Sequence, residues 1–241
     1  MLDIETSPIT AHVWGLYDQN IAINQIIGSG EILCWAAKWH DNNKIYFSSV
    51  QNTNPKRMLL KIWDLLDEAD VVCHYNGSKF DIPWLNKMFL LYGLTPPSPY
   101  KQIDLLRVAR SQFKFPSNKL DYISQQLGLG KKKETNFQLW VDCMANNPEA
   151  WKMMEEYNIQ DVMLLEKVYG KLKPWIKNHP NQNLFTNGEH VCPNCGGKHL
   201  HKRGTSYTIA GQYQRYKCTG CGSWSRDTKK INGTLGIKVA S

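Results

Sequence analysis

Two Cys-x-x-Cys pairs constrain the fold of this chain more tightly than any other feature. Cys192 and Cys195 form the first pair, Cys218 and Cys221 form the second, and 22 residues separate the two pairs. Glycines after each pair allow the tight turns that point two sulfurs at one ion, and four thiolates complete a tetrahedral Zn²⁺ site. The spacing therefore predicts a small zinc ribbon around one structural Zn²⁺ rather than the disulfides of a secreted protein.

The net charge of +8 is confined to the same segment. Residues 190–241 hold nine Lys and Arg and one Asp, whereas residues 1–189 hold 20 basic and 20 acidic side chains. A strongly basic module indicates contact with nucleic acid, and cations interleaved with aromatic residues suit phosphate contacts and base stacking. The candidate contacts are Arg203, Tyr213, Arg215, Tyr216 and Lys217. The alternative is a structural ribbon whose charges are only solvated.

The remainder of the chain has the pattern of an α/β domain. Residues 12–17, 32–39 and 44–50 have the composition of strands, and their short links are typical of antiparallel neighbours. Further along, apolar residues follow a helical period, and a short apolar strand at residues 70–74 precedes a helix, which indicates some parallel pairing. Helices are predicted over residues 55–66, 81–92, 104–113, 118–127, 137–146 and 148–172.

This pattern predicts three segments. We expect a mixed sheet flanked by helices over residues 1–176, a polar linker over residues 177–189, and the zinc ribbon with a basic tail over residues 190–241. No apolar run approaches the ~20 residues that a bilayer span needs, and the acidic start is unlike a signal peptide. We therefore expect a cytoplasmic protein with no membrane partner, located in the host cytoplasm if a phage encodes it.

Several acidic residues occupy positions that suit metal binding. Asp3 and Glu5 share one face of the opening strand because side chains alternate, and two like charges so close together attract a cation. Asp81 follows a buried strand at a helix start, where the alternative role is an N-cap. Tyr157 and Asp161 share one face of the longest helix among apolar neighbours, and the alternative there is a solvated face.

These residues resemble the motifs of a known family. Residues 3–6 (DIET), 76–81 (NGSKFD) and 157–161 (YNIQD) are similar, in order and separation, to the three exonuclease motifs of the DnaQ-like (DEDD) 3′–5′ exonucleases. The Tyr before the last Asp resembles the DEDDy branch. The chain also resembles phage-borne members of the ribonuclease H-like superfamily that carry a C-terminal zinc ribbon. This resemblance covers about residues 1–172 and implies a mixed five-stranded sheet flanked by helices.

The resemblance also implies a two-metal-ion site. Four carboxylates would hold two Mg²⁺ or Mn²⁺ ions: Asp3, Glu5, Asp81 and Asp161. Asp3 would be the ligand that bridges the two ions. Tyr157 would orient the attacking water. The terminal nucleotide would contact Thr6, Asn76 and Phe80, for which turn and core roles are the alternative. One departure from the family is that Ser7 and Pro8 stand where a Gly usually follows the first motif, which affects contacts to the 3′ end.

The expected function is a metal-dependent 3′–5′ exonuclease whose ribbon helps to bind nucleic acid. DNA, as single strands or 3′ ends, is the favoured substrate, and RNA is a further one. Two alternatives stay open: a structure-specific endonuclease that uses the same site, and a non-catalytic nucleic-acid-binding protein with a relic nuclease fold. The run Lys131–Lys133 is either a solvated loop or a phosphate contact near the active site.

Overall fold

The computed structural model describes residues 1–186 and 190–233. The chain divides into two compact units, the first spanning Met1–Tyr169 and the second beginning at Gly170. The end of the predicted linker, residues 187–189, and the predicted basic tail, residues 234–241, lie outside the described residues. None of the described helices combines the length and the apolar character that a membrane span requires.

The first unit contains seven strands and six helices among its described residues. In chain order the strands are β1 (Leu2–Thr6), β2 (Thr10–Ala11), β3 (Ile26–Gly28), β4 (Ile32–Lys38), β5 (Ile45–Ser49), β6 (Val71–His74) and β7 (Lys101–Asp104). The helices are α1 (Pro55–Glu68), α2 (Asp81–Leu91), α3 (Leu105–Gln112), α4 (Leu120–Gln126), α5 (Phe137–Met144) and α6 (Pro148–Leu172), the last of which continues into the second unit.

Five of these strands form two sheets. The antiparallel sheet has the order β1-β4-β5, and β6 pairs with β7 in parallel. The five strands implied by the resemblance are therefore present, but in two sheets rather than one. A physical reason lies at the free edge of β1, where the Ile4 backbone N–H donates to the Asp81 carboxylate at 3.1 Å instead of to a neighbouring strand.

Helices cover both faces of the antiparallel sheet. Leu2 and Ile4 of β1 pack with the apolar sides of α1 and α2, and each side chain is 2% exposed. On the opposite side, Leu33 and Cys34 of β4 pack against α5 and α6. Because β4 is buried on both faces, its sequence is a nearly continuous apolar run. The alternation along β1 therefore leaves Asp3 and Glu5 on the face opposite the α1–α2 core.

One predicted strand is wrong, and one strand of the fold was missed. Residues 12–17 do not form a strand: β2 stops at Ala11, and Trp14 and Leu16 are 99% and 88% exposed. An apolar pattern alone does not make a strand where no core lies beneath it. Strand β7 was not predicted, because its first two residues are exposed and only Ile103 and Asp104 are buried, so it carries little apolar signal.

The second unit contains the cysteine pairs and a three-stranded antiparallel sheet. Its strands are β8 (Leu200–Thr208), β9 (Gly211–Cys218) and β10 (Trp224–Gly233), in the order β10-β9-β8. Strands β8 and β9 form a hairpin, and β10 pairs with the other edge of β9. Within the predicted linker, Gln182–Phe185 forms a 3₁₀ turn, and the Gln182 backbone N–H donates to the Pro193 carbonyl at 2.8 Å.

Candidate functional site

Three carboxylates from two elements meet beside β1. Oxygen atoms of Asp3, Glu5 and Asp161 all lie within 4.8 Å of one another, the first two from β1 and the third from α6. Asp161 is 2% exposed, and its Oδ1 atom has no hydrogen-bond partner among the described residues. A buried carboxylate oxygen without a donor is what a metal ligand requires. The donor set therefore fits a hard divalent cation such as Mg²⁺ or Mn²⁺.

Asp81 lies next to this cluster at the first residue of α2. Its carboxylate is 3% exposed and accepts the hydrogen bond from the Ile4 backbone, which places it against the strand that carries Asp3 and Glu5. Asp81 is outside the group of oxygens within 4.8 Å, but its negative charge acts on Asp3. The structure thus brings all four predicted carboxylates to one region, three of them in close contact.

The pKa values report the electrostatic cost of this arrangement without a cation. Desolvation, followed by the charges of Asp81, Glu5 and Asp161, raises the pKa of Asp3 well above its usual value. Desolvation and then Asp161 raise the pKa of Glu5 to about 8, and desolvation raises the pKa of Asp81 to about 7. Four carboxylates in so confined a space cannot all ionise near neutral pH unless protons or cations compensate their charge.

Lys132 already supplies one positive charge to the cluster. Its ammonium group forms an ion pair with Asp161 and donates to the Tyr157 hydroxyl at 3.0 Å. Although desolvation opposes the shift, Asp161 and Tyr157 raise the pKa of Lys132. Its neighbours in the lysine run pair instead with surface acids, Lys131 with Glu134 and Lys133 with Glu156. Of the three lysines, Lys132 thus contacts the site, and the other two pair with acids at the surface.

Tyr157 occupies the expected face of α6. The phenol is 8% exposed, lies one turn before Asp161, and packs edge-on against Trp140 with 5.9 Å between ring centroids. Desolvation and the charge of Asp161 raise the pKa of Tyr157. The Tyr157 hydroxyl therefore stays protonated across the physiological pH range.

Asn158 is a site residue that was not predicted. Its amide nitrogen donates to Asp3 Oδ2 at 2.7 Å, and the side chain is fully buried. Cys34 on β4 approaches the other end of the amide, with 3.8 Å between its sulfur and Asn158 Oδ1. The sequence signal was its place inside the YNIQD motif, but only the packing of α6 on β4 shows that it orients Asp3.

Asp104 is a second unpredicted residue, and it holds the loop that leads to Asp81. Its carboxylate accepts from the Asn76 backbone at 3.0 Å and from the Ser78 hydroxyl, and it also caps α3 through Leu106 N at 3.1 Å. Gly77 is required here, because a Cβ atom would lie 2.4 Å from Cγ of the buried His74. The loop is therefore fixed at its base by side chains from β6 and β7.

The predicted contacts to the terminal nucleotide differ in their exposure. Thr6 ends β1 and is half-buried, and Asn76 is half-buried with its backbone held by Asp104. Phe80 immediately precedes Asp81, is 39% exposed, and faces Trp84 with 6.4 Å between ring centroids. Of these three side chains, Phe80 offers the largest accessible apolar surface.

The four cysteines of the second unit come together as their spacing predicts. Sulfur atoms of Cys192, Cys195, Cys218 and Cys221 all lie within 4.8 Å of one another. The Ser223 hydroxyl lies 3.3 Å from the Cys192 sulfur and 3.0 Å from the Cys221 sulfur. Four soft sulfur donors around one point fit a structural Zn²⁺.

The predicted nucleic-acid contacts of the ribbon divide by exposure. Arg203, Arg215 and Lys217 are exposed. Tyr213 and Tyr216 are each only 8% exposed. Burial leaves little of either tyrosine ring free to stack on a base, so the cations are the accessible part of the predicted set.

Comparison with known proteins places these features in a family. Residues 1–173 match the family described as the RNase_H superfamily. A DNA polymerase of Methanocaldococcus jannaschii is 28% identical over 137 residues, covering 48% of this chain and 8% of that polymerase. The family B DNA polymerase of Pyrobaculum calidifontis superposes with a TM-score of 0.50 at 14% identity, over 87% of this chain and 31% of that one. The chain thus spans less than a third of either relative, and the second likeness concerns the fold alone.

Proposed function

Because the chain belongs to the RNase H superfamily, we propose that it is a two-metal-ion 3′–5′ exonuclease that hydrolyses phosphodiester bonds of DNA. Single strands and 3′ ends are the proposed substrates, with RNA as a further substrate. The observation that carries the proposal is that Asp3, Glu5 and Asp161 meet beside β1. Asp81 of α2 is bound to the same strand through the Ile4 backbone. The DNA polymerase relative supports DNA as the substrate.

Each residue of the site has a proposed task. Asp3, Glu5, Asp81 and Asp161 would hold two Mg²⁺ or Mn²⁺ ions, which supply activation of water and stabilisation of the leaving oxygen. Asn158 holds Asp3 in place through its amide. The Tyr157 hydroxyl, kept protonated by its raised pKa, orients the attacking water rather than removing its proton. Lys132 fixes that hydroxyl and the Asp161 carboxylate relative to each other.

The zinc ribbon is proposed to assist by holding the nucleic acid. Arg203, Arg215 and Lys217 are exposed on it, and residues 190–241 carry a large excess of cations. Phosphate contacts of this kind contribute affinity without sequence preference. That property suits an enzyme that shortens strands of any sequence.

Digestion of 5′-labelled single strands tests the proposal. With Mg²⁺ or Mn²⁺ we expect products that shorten progressively from the 3′ end, and we expect no products from the Asp3→Asn and Asp161→Asn variants. Asp64→Asn, which changes an exposed carboxylate on α1, is the matched control and should cleave as the parent does. Cleavage of a circular single strand would favour the endonuclease, and equal activity in parent and Asp161→Asn would refute the site.

A further inference from the structure

One face of the ribbon sheet carries four exposed cations and an exposed indole. Trp224 pairs with Lys217 across β9 and β10, Arg226 pairs with Arg215, and Lys230 pairs with Tyr213. Paired residues in a sheet project from the same face. The basic face is defined here as Arg215, Lys217, Trp224, Arg226 and Lys230, and all five side chains are exposed.

Among the described residues of the ribbon, no acid lies on the same face as these charges. The one acidic residue of the described ribbon, Asp227, contacts the Tyr216 hydroxyl at 3.4 Å. Tyr216 alternates with Arg215 and Lys217 along β9 and therefore projects from the opposite face. The basic face consequently presents an uncompensated positive field, which attracts a polyanion.

Trp224 is the accessible aromatic residue of this face. Its side chain is 52% exposed, and the Arg215 guanidinium carbon and Lys217 Nζ lie 4.8 Å and 5.8 Å from its ring. Both rings have a cation over them, but Tyr213, with the Arg226 guanidinium at 4.2 Å, is only 8% exposed. Trp224 also follows Cys221 by three residues, so the cysteine site fixes where β10 begins and where the indole lies.

We propose that the basic face binds single-stranded nucleic acid, with a base stacked on Trp224 and flanking phosphates on Arg215, Lys217 and Arg226. An indole beside exposed cations matches the alternation of base and phosphate along a single strand. In a duplex the interior bases are already stacked on their neighbours, so the indole finds no free base face there. The proposal rests on the proposed function, in which the ribbon holds the nucleic acid, and deepens it by naming single strands as the form that the ribbon binds.

Binding measurements on the full chain test this without cleavage. In an Asp161→Asn background, fluorescence anisotropy would report the affinity for labelled oligothymidylate, oligouridylate of the same length, and a DNA duplex. We expect Trp224→Ala to weaken binding of at least one single strand by about 10- to 100-fold, the effect of losing one stacked base. Trp224→Phe should restore most of that loss. The duplex affinity should change less than about twofold, within ordinary substitution effects.

Salt dependence separates stacking from phosphate contact. Lys217→Gln and Arg226→Gln should each reduce the slope of log K against log salt by about 0.7, the value per single-strand phosphate contact, whereas Trp224→Ala should leave the slope unchanged. The matched control is Tyr207→Ala on β8, because Tyr207 is 72% exposed and pairs with Gln212 on the opposite face. Zinc content and melting temperature equal to the parent's verify that each variant folds.

Three results would overturn the proposal. They are unchanged binding of both single strands by Trp224→Ala, an equal loss for single strand and duplex, and displacement of the oligonucleotide by polyglutamate as readily as by unlabelled DNA. None of these depends on hydrolysis. An inactive parent enzyme would therefore refute the exonuclease and leave this binding test intact, and a failed binding test would leave the exonuclease proposal standing.

Discussion

At the scale of single residues, the site is a set of charges that the fold alone does not balance. Asp3, Glu5, Asp81 and Asp161 converge where the described residues supply one close cation, Lys132. Burial of like charges is tolerated only with protons, ion pairs or metals. The protein therefore stores electrostatic strain that bound divalent cations would relieve.

This strain predicts how stability depends on pH. Glu5 has a folded-state pKa of about 8 against an ordinary value of 4.5, so in that window the folded state binds more protons than the unfolded one. Without added Mg²⁺, the free energy of unfolding should therefore fall as pH rises from about 4.5 to about 8. At pH 8, Mg²⁺ at about 100 times its Kd should raise the melting temperature by roughly 5 to 10 °C.

Scanning calorimetry on the zinc-loaded protein measures both effects. The matched variant Glu5→Gln should have a shallower pH slope and a smaller response to Mg²⁺, because it removes one titrating carboxylate. If stability instead rises between those pH values in the parent without Mg²⁺, the carboxylates do not interact as the distances between them indicate.

Tyr157 gives a second prediction at this scale. Tyr157→Phe keeps the edge-on contact with Trp140 and removes the hydroxyl that Lys132 holds. We expect kcat to fall about 100-fold, because a misplaced nucleophile costs that much, while the lost hydrogen bond lowers stability by only about 1 kcal/mol. Steady-state kinetics and thermal unfolding separate the two. Unchanged kcat would mean that other groups orient the water.

At the scale of elements, the site depends on a loop that is fixed from below. The segment between β6 and α2 leads to Asp81, the first residue of α2, and the Asp104 carboxylate of β7 binds this segment through Asn76 and Ser78. Asp104 caps α3 with the same carboxylate. One side chain thus links the parallel ladder, a helix start and the position of a metal-ligand candidate.

Asp104→Asn should therefore reduce activity as well as stability. The amide offers one acceptor oxygen where the carboxylate offers two, so the loop loses a partner and unfolding should become easier by about 1–2 kcal/mol. Burial opposes the shift, but Ser78 and the Asn76 backbone lower the pKa of Asp104. Its stabilisation is thus present above its ordinary pKa and lost as pH falls through the lowered value.

The matched variant is Asp67→Asn. Asp67 also holds a loop, accepting from Ser98 N at 2.7 Å and from the Ser98 hydroxyl at 2.8 Å, and it is exposed near the end of α1. It should lose stability with little change in kcat/KM. Equal kcat/KM losses in the two variants would show that Asp104 has no specific role in placing Asp81.

Elements also show what the sequence was able to predict. The helical periods, with Asn54 and Pro55 at the start of α1, located the helices to within a few residues, because capping and amphipathicity are local signals. The family match confirms the predicted RNase H-like fold. The strand predicted at residues 12–17 is absent, and β7 was missed. In both cases the burial of a short run of residues depends on segments that are distant in the sequence. Lys132 and Asn158 were not identified individually for the same reason.

At the scale of the whole molecule, charge and chemistry are divided between two units. The carboxylate cluster lies entirely within Met1–Tyr169, whereas the cysteine site and the basic face lie in the unit that begins at Gly170. The carboxylate cluster offers oxygen ligands, which favour hard cations such as Mg²⁺, and the cysteine site offers sulfur ligands, which favour softer ions such as Zn²⁺. Removal of one ion should therefore affect the two units differently.

Cys218→Ser tests that division. Structural Zn²⁺ contributes about 10–16 kcal/mol to the folding of small modules, so the β8–β10 sheet should unfold and bound zinc should fall to a small fraction of the parent's. Affinity for long single strands should drop and lose most of its salt dependence. Mg²⁺-dependent cleavage of a trinucleotide, which offers few phosphates for the ribbon to hold, should persist. Zinc analysis, anisotropy titrations and product chromatography measure the three effects.

His199→Ala is the matched variant, because His199 lies between the cysteine pairs and is not among the clustered sulfur ligands. It should retain zinc, affinity and salt dependence. If Cys218→Ser abolishes trinucleotide cleavage while the melting transition of the first unit is unchanged, the ribbon contributes directly to the chemistry. Persistence of cleavage would instead locate hydrolysis in Met1–Tyr169 and limit the ribbon to holding the strand.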